Sequence, residues 1–194
     1  MIETGKQIAS EQGLKHIRWL VGRAEDLEIE PASFQLITIG EAFHRLDQRL
    51  IAARSMQWLS PGGCLATLGV TRGTELWQQI VTDVVRKWTM RNSGKDGRSR
   101  KPVPGSGPAH YEFVMRDAGF EQVGSYTFVY EYCWTVESIF GYLYSTSYCS
   151  KRVLGGGAAD FEQELEEALL AHDPSGAYRE AMQFGYTLGR KPGK

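Results

Sequence analysis

Two nearly continuous apolar runs, residues 34–39 and 64–68, flank a helical pattern over residues 47–59, and that spacing predicts a strand–helix–strand unit. Strands that are apolar on both sides need cover on both faces, and a helical connection between them makes the pair parallel. Asp47 is placed to cap the helix, with Leu50, Ile51, Trp58 and Leu59 on one side and Gln48, Arg49 and Gln57 largely elsewhere. Ser60-Pro61-Gly62-Gly63 stops it. A further apolar run at residues 17–21 reads as an earlier strand, followed by a turn at Glu30, Pro31, Ala32 and Ser33. The order helix, strand, strand, helix, strand predicts an α/β layered domain with parallel pairs.

Residues 74–89 carry an apolar stripe at helical spacing, from Leu76 and Trp77 to Trp88. Between residues 86 and 101 seven basic side chains meet one acid, Asp96, and residues 94–108 hold four glycines and three prolines. Residues 86–108 therefore read as a mobile basic loop, either a solvated insertion or a lid over an anionic group. A helix over 111–118 closes at Gly119, and residues 123–134 alternate as a strand with Tyr126, Phe128, Tyr130, Tyr132 and Trp134 on one side. Residues 135–172 are helical in pattern, with Asp160 and Gln163 resembling a capping box, and residues 182–188 read as a last strand.

With 194 residues the chain fits one domain, and 22 basic against 23 acidic residues leave a formal charge of −1. No global electrostatic term draws it to nucleic acid or anionic lipid. No apolar run spans a bilayer and no leader-like segment opens the chain, so a cytoplasmic location is expected. Cys64, Cys133 and Cys149 are too few and too scattered for a disulfide framework. His16, His44, His110 and His172 stand singly, so no metal site is expected. The chain contains no G-x-S-x-G, C-x-x-C, H-E-x-x-H, P-loop or G-x-G-x-x-G pattern.

Several local patterns carry meaning together. Gly22-Arg23-Ala24-Glu25-Asp26-Leu27, the run Phe34-Gln35-Leu36-Ile37-Thr38-Ile39-Gly40-Glu41-Ala42-Phe43-His44-Arg45, Leu59-Ser60-Pro61-Gly62-Gly63 and Ala118-Gly119-Phe120 resemble successive landmarks of class I S-adenosylmethionine-dependent methyltransferases. The resemblance is closest to the small-molecule, methyltransferase type 11-like branch, and Gly141-Tyr142-Leu143-Tyr144-Ser145-Thr146-Ser147 is similar to its substrate-side insertion. It covers essentially the whole chain and implies a Rossmann-like sheet with helices on both faces, binding its ligand at the carboxyl ends of the strands.

The same resemblance implies S-adenosylmethionine as cofactor, with Met1, Ala24, Glu25, Gly40 and Glu41 around it. Ala24 and Glu25 would meet the adenine, and Gly40 and Glu41 the methionine end. His44 is the one residue nominated for acid/base work, as an imidazole that orients or deprotonates an acceptor hydroxyl, or else as a structural hydrogen-bonding group. Trp134, Tyr142 and Tyr144 would wall a pocket for a small-molecule acceptor, or else form plain core.

Departures from the family are equally specific. Its glycine-rich loop after the first strand and its ribose-binding acid after the second have no counterpart here, and Met1-Ile2-Glu3 resembles the segment just beyond that second strand. The expectation is a single truncated domain over residues 1–194 whose N-terminal strands are missing. Gln35, Arg45 and Gln57 stand where aspartate, tryptophan and arginine are usual. If residues 17–21 and 34–39 kept their family positions, two absent strands would leave a gap of roughly 14 Å between them. Such a gap predicts that the chain is a fragment of a longer product, that a partner chain fills the slot, or that the strands close up into a different sheet, and the two unpaired edges predict a dimer or larger assembly. Two functions stay open: methyl transfer to a small molecule, and a non-catalytic scaffold that acts through association.

Overall fold

The computed structural model describes residues 2–71, 73–93 and 106–193. Its elements run α1 (Ile2–Glu11), β1 (Phe34–Gly40), α2 (Gln48–Trp58), β2 (Leu59–Thr71), α3 (Leu76–Ser93), α4 (Pro108–Asp117), β3 (Glu121–Thr135), α5 (Val136–Ser145), α6 (Lys151–Leu154), α7 (Ala158–His172) and β4 (Ala177–Arg190). The strands form one sheet in the order β1-β2-β4-β3. β1 and β2 are parallel with α2 as their crossover, and β4 lies antiparallel between β2 and β3. Asp47 Oδ1 accepts from Leu50 N at 3.1 Å, the cap that the sequence places there.

Strand alternation sends the two faces to different helices. Leu65 pairs in register with Gly189 and packs with Leu59, Met115 and Phe120 under α4, beside a cluster of Phe43, Ile51, Ala52 and Val114 that joins α2 to α4. Tyr178 and Met182 point the opposite way, into the larger core of α3, α5 and α7 with Trp77, Trp88, Leu143, Phe161 and Leu165. The result is a mixed α/β sheet with helices on both faces, as expected.

Several expectations need correction. Residues 17–21 form no strand, so the interior gap does not arise and the described sheet simply ends at β1. The physical reason is that a strand needs a neighbour for its backbone groups, and β1 pairs on one side only, with β2. Trp19 packs instead on α1, where a Cβ at Gly5 would stand 2.8 Å from its ring. Residues 86–93 of the expected basic loop belong to α3, and residues 94–105 lie outside the described residues. α7 begins at Ala158 after Gly157 without a side-chain cap, so Asp160 and Gln163 form no capping box. The capping box in this region is Thr135 with Ser138, at the start of α5.

Gly63 shows why the Pro-Gly-Gly turn carries its second glycine. A Cβ there would lie 2.9 Å from Ser60 O and 3.0 Å from Gln35 O, both backbone atoms that cannot step aside cheaply. Gly63→Ala is expected to destabilise the chain by about 1–3 kcal/mol, read as a lower denaturant midpoint. An unchanged midpoint would mean that β1 and β2 do not approach this closely.

Charge linkage sets the acid limit of the fold. Glu164 is held below the usual carboxylate range first by Lys87, 2.8 Å away, and then by the Trp88 indole N–H. Glu25, Glu112 and Asp173 are also lowered, each mainly by hydrogen bonds it accepts. A lowered folded-state value contributes stability that is complete above the unfolded range of about 4 and drains away as pH falls through the folded value. The melting temperature is therefore expected to fall as pH drops from about 5 to 3, and Glu164→Gln to shallow that fall. A flat profile would contradict these pairings.

Candidate functional site

Two clefts open where β1 and β2 end, divided by the chain leaving β1. The first, about 670 Å³, lies between the turn at residues 22–27, the last half of β1 and the inner side of α2. The second, about 390 Å³, lies between residues 41–44, the end of β2, the start of α4 and the middle of β4. Ala42 lines both. Both volumes suit a small organic ligand.

In the first cleft Ala24, Glu25 and Gly40 come together, whereas Glu41, expected beside Gly40, lines the second. Ile37, Ile39, Leu46 and Trp58 supply apolar wall, and a Cβ on Gly40 would meet nothing within 4 Å. The Glu25 carboxyl has a second task. One oxygen accepts from Asp47 N at 3.2 Å and the other lies 3.7 Å from Arg23 Nε, so the turn is tied to the start of α2. Its own backbone N–H, then that of Asp47, lowers its pKa.

Glu41 and His44 fall in the second cleft. Glu41 has a left-handed backbone, φ 50°, which a residue with a side chain adopts only where its surroundings enforce it. Here Glu41 N donates to Leu68 O at 2.9 Å while its side chain accepts from Val70 N, locking the β1 exit over β2. His44 sits in a 3-10 turn, Phe43–Arg45, and its Nε2 accepts from Arg45 Nε at 3.4 Å. In the neutral ring that places the proton on Nδ1. Phe43 is buried edge-on against Tyr111 of α4, centroids 5.0 Å apart, and so fixes the turn.

Met1 lies outside the described residues. Trp134, Tyr142 and Tyr144 line neither cleft. Trp134 is buried in the α3–α5–α7 core and donates from Nε1 to Glu180 at 2.7 Å, Tyr142 packs edge-on against it, and Tyr144 donates to Glu162. Among the described residues no group of His, Cys, Asp and Glu could hold a metal ion, and no helix is long and apolar enough to cross a membrane.

The sequence reading missed two hydroxyls. Ser55 on α2 and Thr67 on β2 are buried, their oxygens have no hydrogen-bond partner, and each lines one cleft. An orphaned buried hydroxyl calls for a partner, which water or a ligand group in the adjoining cleft can supply. Helical spacing gives Ser55 away only after α2 has been docked, and Thr67 only after strand register is known.

Residues 1–95 match the model of the ubiE/COQ5 methyltransferase family. No curated protein matches the chain. Solved structures similar to it include a candidate type II methyltransferase of Anaeromyxobacter dehalogenans, 20% identical over 93% of this chain and 74% of that one, with a TM-score of 0.56. The YcgJ protein of Bacillus subtilis is 16% identical over 99% and 78%, TM-score 0.50. A candidate sarcosine dimethylglycine methyltransferase of Galdieria sulphuraria is 17% identical over 100% and 66%, also at 0.50. These likenesses are likenesses of fold, and the chain spans 66–78% of the length of those structures.

Proposed function

We propose that this chain, a class I S-adenosylmethionine-dependent methyltransferase by its fold and by the sequence of its first 95 residues, takes the cofactor in the first cleft and a small-molecule methyl acceptor in the second. The observation that carries the reading is the adjacency of the clefts, with Gly40 opening into one and Glu41 and His44 into the other.

S-adenosylmethionine supplies an activated methyl group on a sulfonium, so the protein's share of such chemistry is alignment and proton handling. The first cleft fits the nucleoside end: apolar walls at Ile37, Ile39 and Leu46, the Ala24–Glu25 turn, and the unpartnered Ser55 hydroxyl. Gly40 admits close approach of a ligand to backbone because nothing occupies its side-chain position. In the second cleft Glu41 and His44 orient the acceptor, and its proton passes to His44 Nε2, the unprotonated nitrogen, which gives up the Arg45 contact as it takes it.

The test is formation of S-adenosylhomocysteine when the chain is incubated with S-adenosylmethionine and a panel of small hydroxyl and amine acceptors. Turnover above background is expected for at least one acceptor, with His44→Ala lowering it about 100-fold. No turnover across the panel would overturn the reading. We also propose self-association through the free edges of the sheet, where Leu36 of β1 is 57% and Phe128 of β3 52% exposed. A monomer by light scattering at high concentration would overturn that.

A further inference from the structure

Arg45 stands between the two clefts. It lines the first with Gly40 and Ala42, while its Nε donates at 3.4 Å to Nε2 of His44, which lines the second. Nε2 carries the one available lone pair of the neutral imidazole, so a proton from an acceptor has no place on His44 while that contact stands. The contact is long beside the usual length of about 2.9–3.0 Å, and the Arg45 side chain is exposed, so it yields readily to a better acceptor.

Charge balance identifies that acceptor. Two arginines line the first cleft, and Arg23 is matched, with its Nε 3.7 Å from Glu25 and 3.9 Å from Asp26. Among the described residues Arg45 forms no ion pair and its side chain bonds only to the imidazole. A carboxylate meets the planar guanidinium with opposite charge and two parallel hydrogen bonds, where the imidazole offers a single neutral lone pair.

We propose that Arg45 takes the carboxylate at the methionine end of the cofactor and, in turning to it, frees His44 Nε2 to accept a proton. Filling the first cleft thereby makes the base in the second available, with Arg45 acting on the reaction as a positioning residue through His44. This rests on the first cleft being the cofactor site.

S-adenosylhomocysteine and S-adenosyl-3-thiopropylamine share the nucleoside, the thioether and the amine, and the second lacks only the carboxylate. In calorimetric titration of the intact chain, S-adenosylhomocysteine is expected to bind about tenfold more tightly than the amine analogue. Arg45→Met keeps an unbranched stem without the charge and should bring the two affinities within about twofold, whereas Arg45→Lys should restore part of the preference. The second readout is the His44 Nε2 nitrogen resonance of the isotope-labelled chain at about pH 8, above the ordinary imidazole range, assigned by its loss in His44→Gln. S-adenosylhomocysteine should move it towards the position of an unbonded imidazole nitrogen, the amine analogue should leave it in place, and in Arg45→Met it should start at the unbonded position. A merely structural Arg45 would lower both affinities alike and leave that resonance still. Equal affinities in the parent chain, a preference that survives Arg45→Met, or an Nε2 resonance that responds alike to both ligands would overturn the proposal and leave the cofactor cleft standing. Silence towards both ligands would overturn the assignment of the cleft along with it.

Discussion

Glu180→Leu is expected to cost about 3 kcal/mol or more of folding stability, because it takes the acceptor from one buried and two half-buried donors. Glu180 is 1% exposed in the middle of the larger core. It accepts from Trp134 Nε1 and from Gln78 Nε2, each at 2.7 Å, and from Gly73 N at 3.1 Å. One carboxyl thus joins β3, α3 and the connection leaving β2. The apolar replacement satisfies none of these donors, whereas Glu180→Gln retains an acceptor oxygen and should lose less. Against a total of about 5–15 kcal/mol for a domain, a loss of this size moves the denaturation midpoint far. A midpoint for Glu180→Leu within about 0.5 kcal/mol of the parent chain would refute this role.

Gly40→Phe has the opposite signature. The position a side chain would occupy is empty to 4 Å, so the substitution should leave the melt unchanged. Because Gly40 borders the first cleft, the ring would instead enter the space assigned to the cofactor. Binding of S-adenosylhomocysteine is expected to weaken at least 30-fold, equivalent to about 2 kcal/mol. Unaltered binding would show that the ligand lies elsewhere, and a collapsed melt would show that the space is not open.

The strand–helix–strand unit was legible because its signals are local: two apolar runs, an aspartate cap that bonds Leu50, and a glycine at 63 whose backbone neighbours exclude any Cβ. Residues 17–21 show the limit of the same signal. Their composition is that of a strand, but pairing is a property of the neighbour, and none of the four described strands lies beside them. The aromatic alternation along β3 was also readable, and register then revealed its partners, Tyr126 stacked on Tyr186 and Phe128 beside Phe184 at 5.1 and 5.0 Å. What alternation left open was whether aromatic residues at helical spacing line a pocket or a core. Trp134 and Tyr142 went to the core, held by the buried Glu180, which the sequence reading had not singled out.

The site followed the same division. Ala24, Glu25 and Gly40 meet in one cleft because a turn and a strand exit are set by nearby residues, whereas Glu41, grouped with them by the resemblance, lines the other. Thr67, Ser125 and Thr187 are 58 and 62 positions apart along the chain and meet only because β4 inserts between β2 and β3. No spacing rule finds such a row. The left-handed backbone of Glu41 was equally hidden, since no glycine marks it.

Calorimetric titration of the intact chain with S-adenosylhomocysteine bears most directly on whether the first cleft is a nucleoside site. The account predicts saturable heat at one ligand per chain, abolished by Gly40→Phe and preserved in His44→Ala. Absence of heat at high protein concentration, or heat that survives Gly40→Phe undiminished, would contradict it.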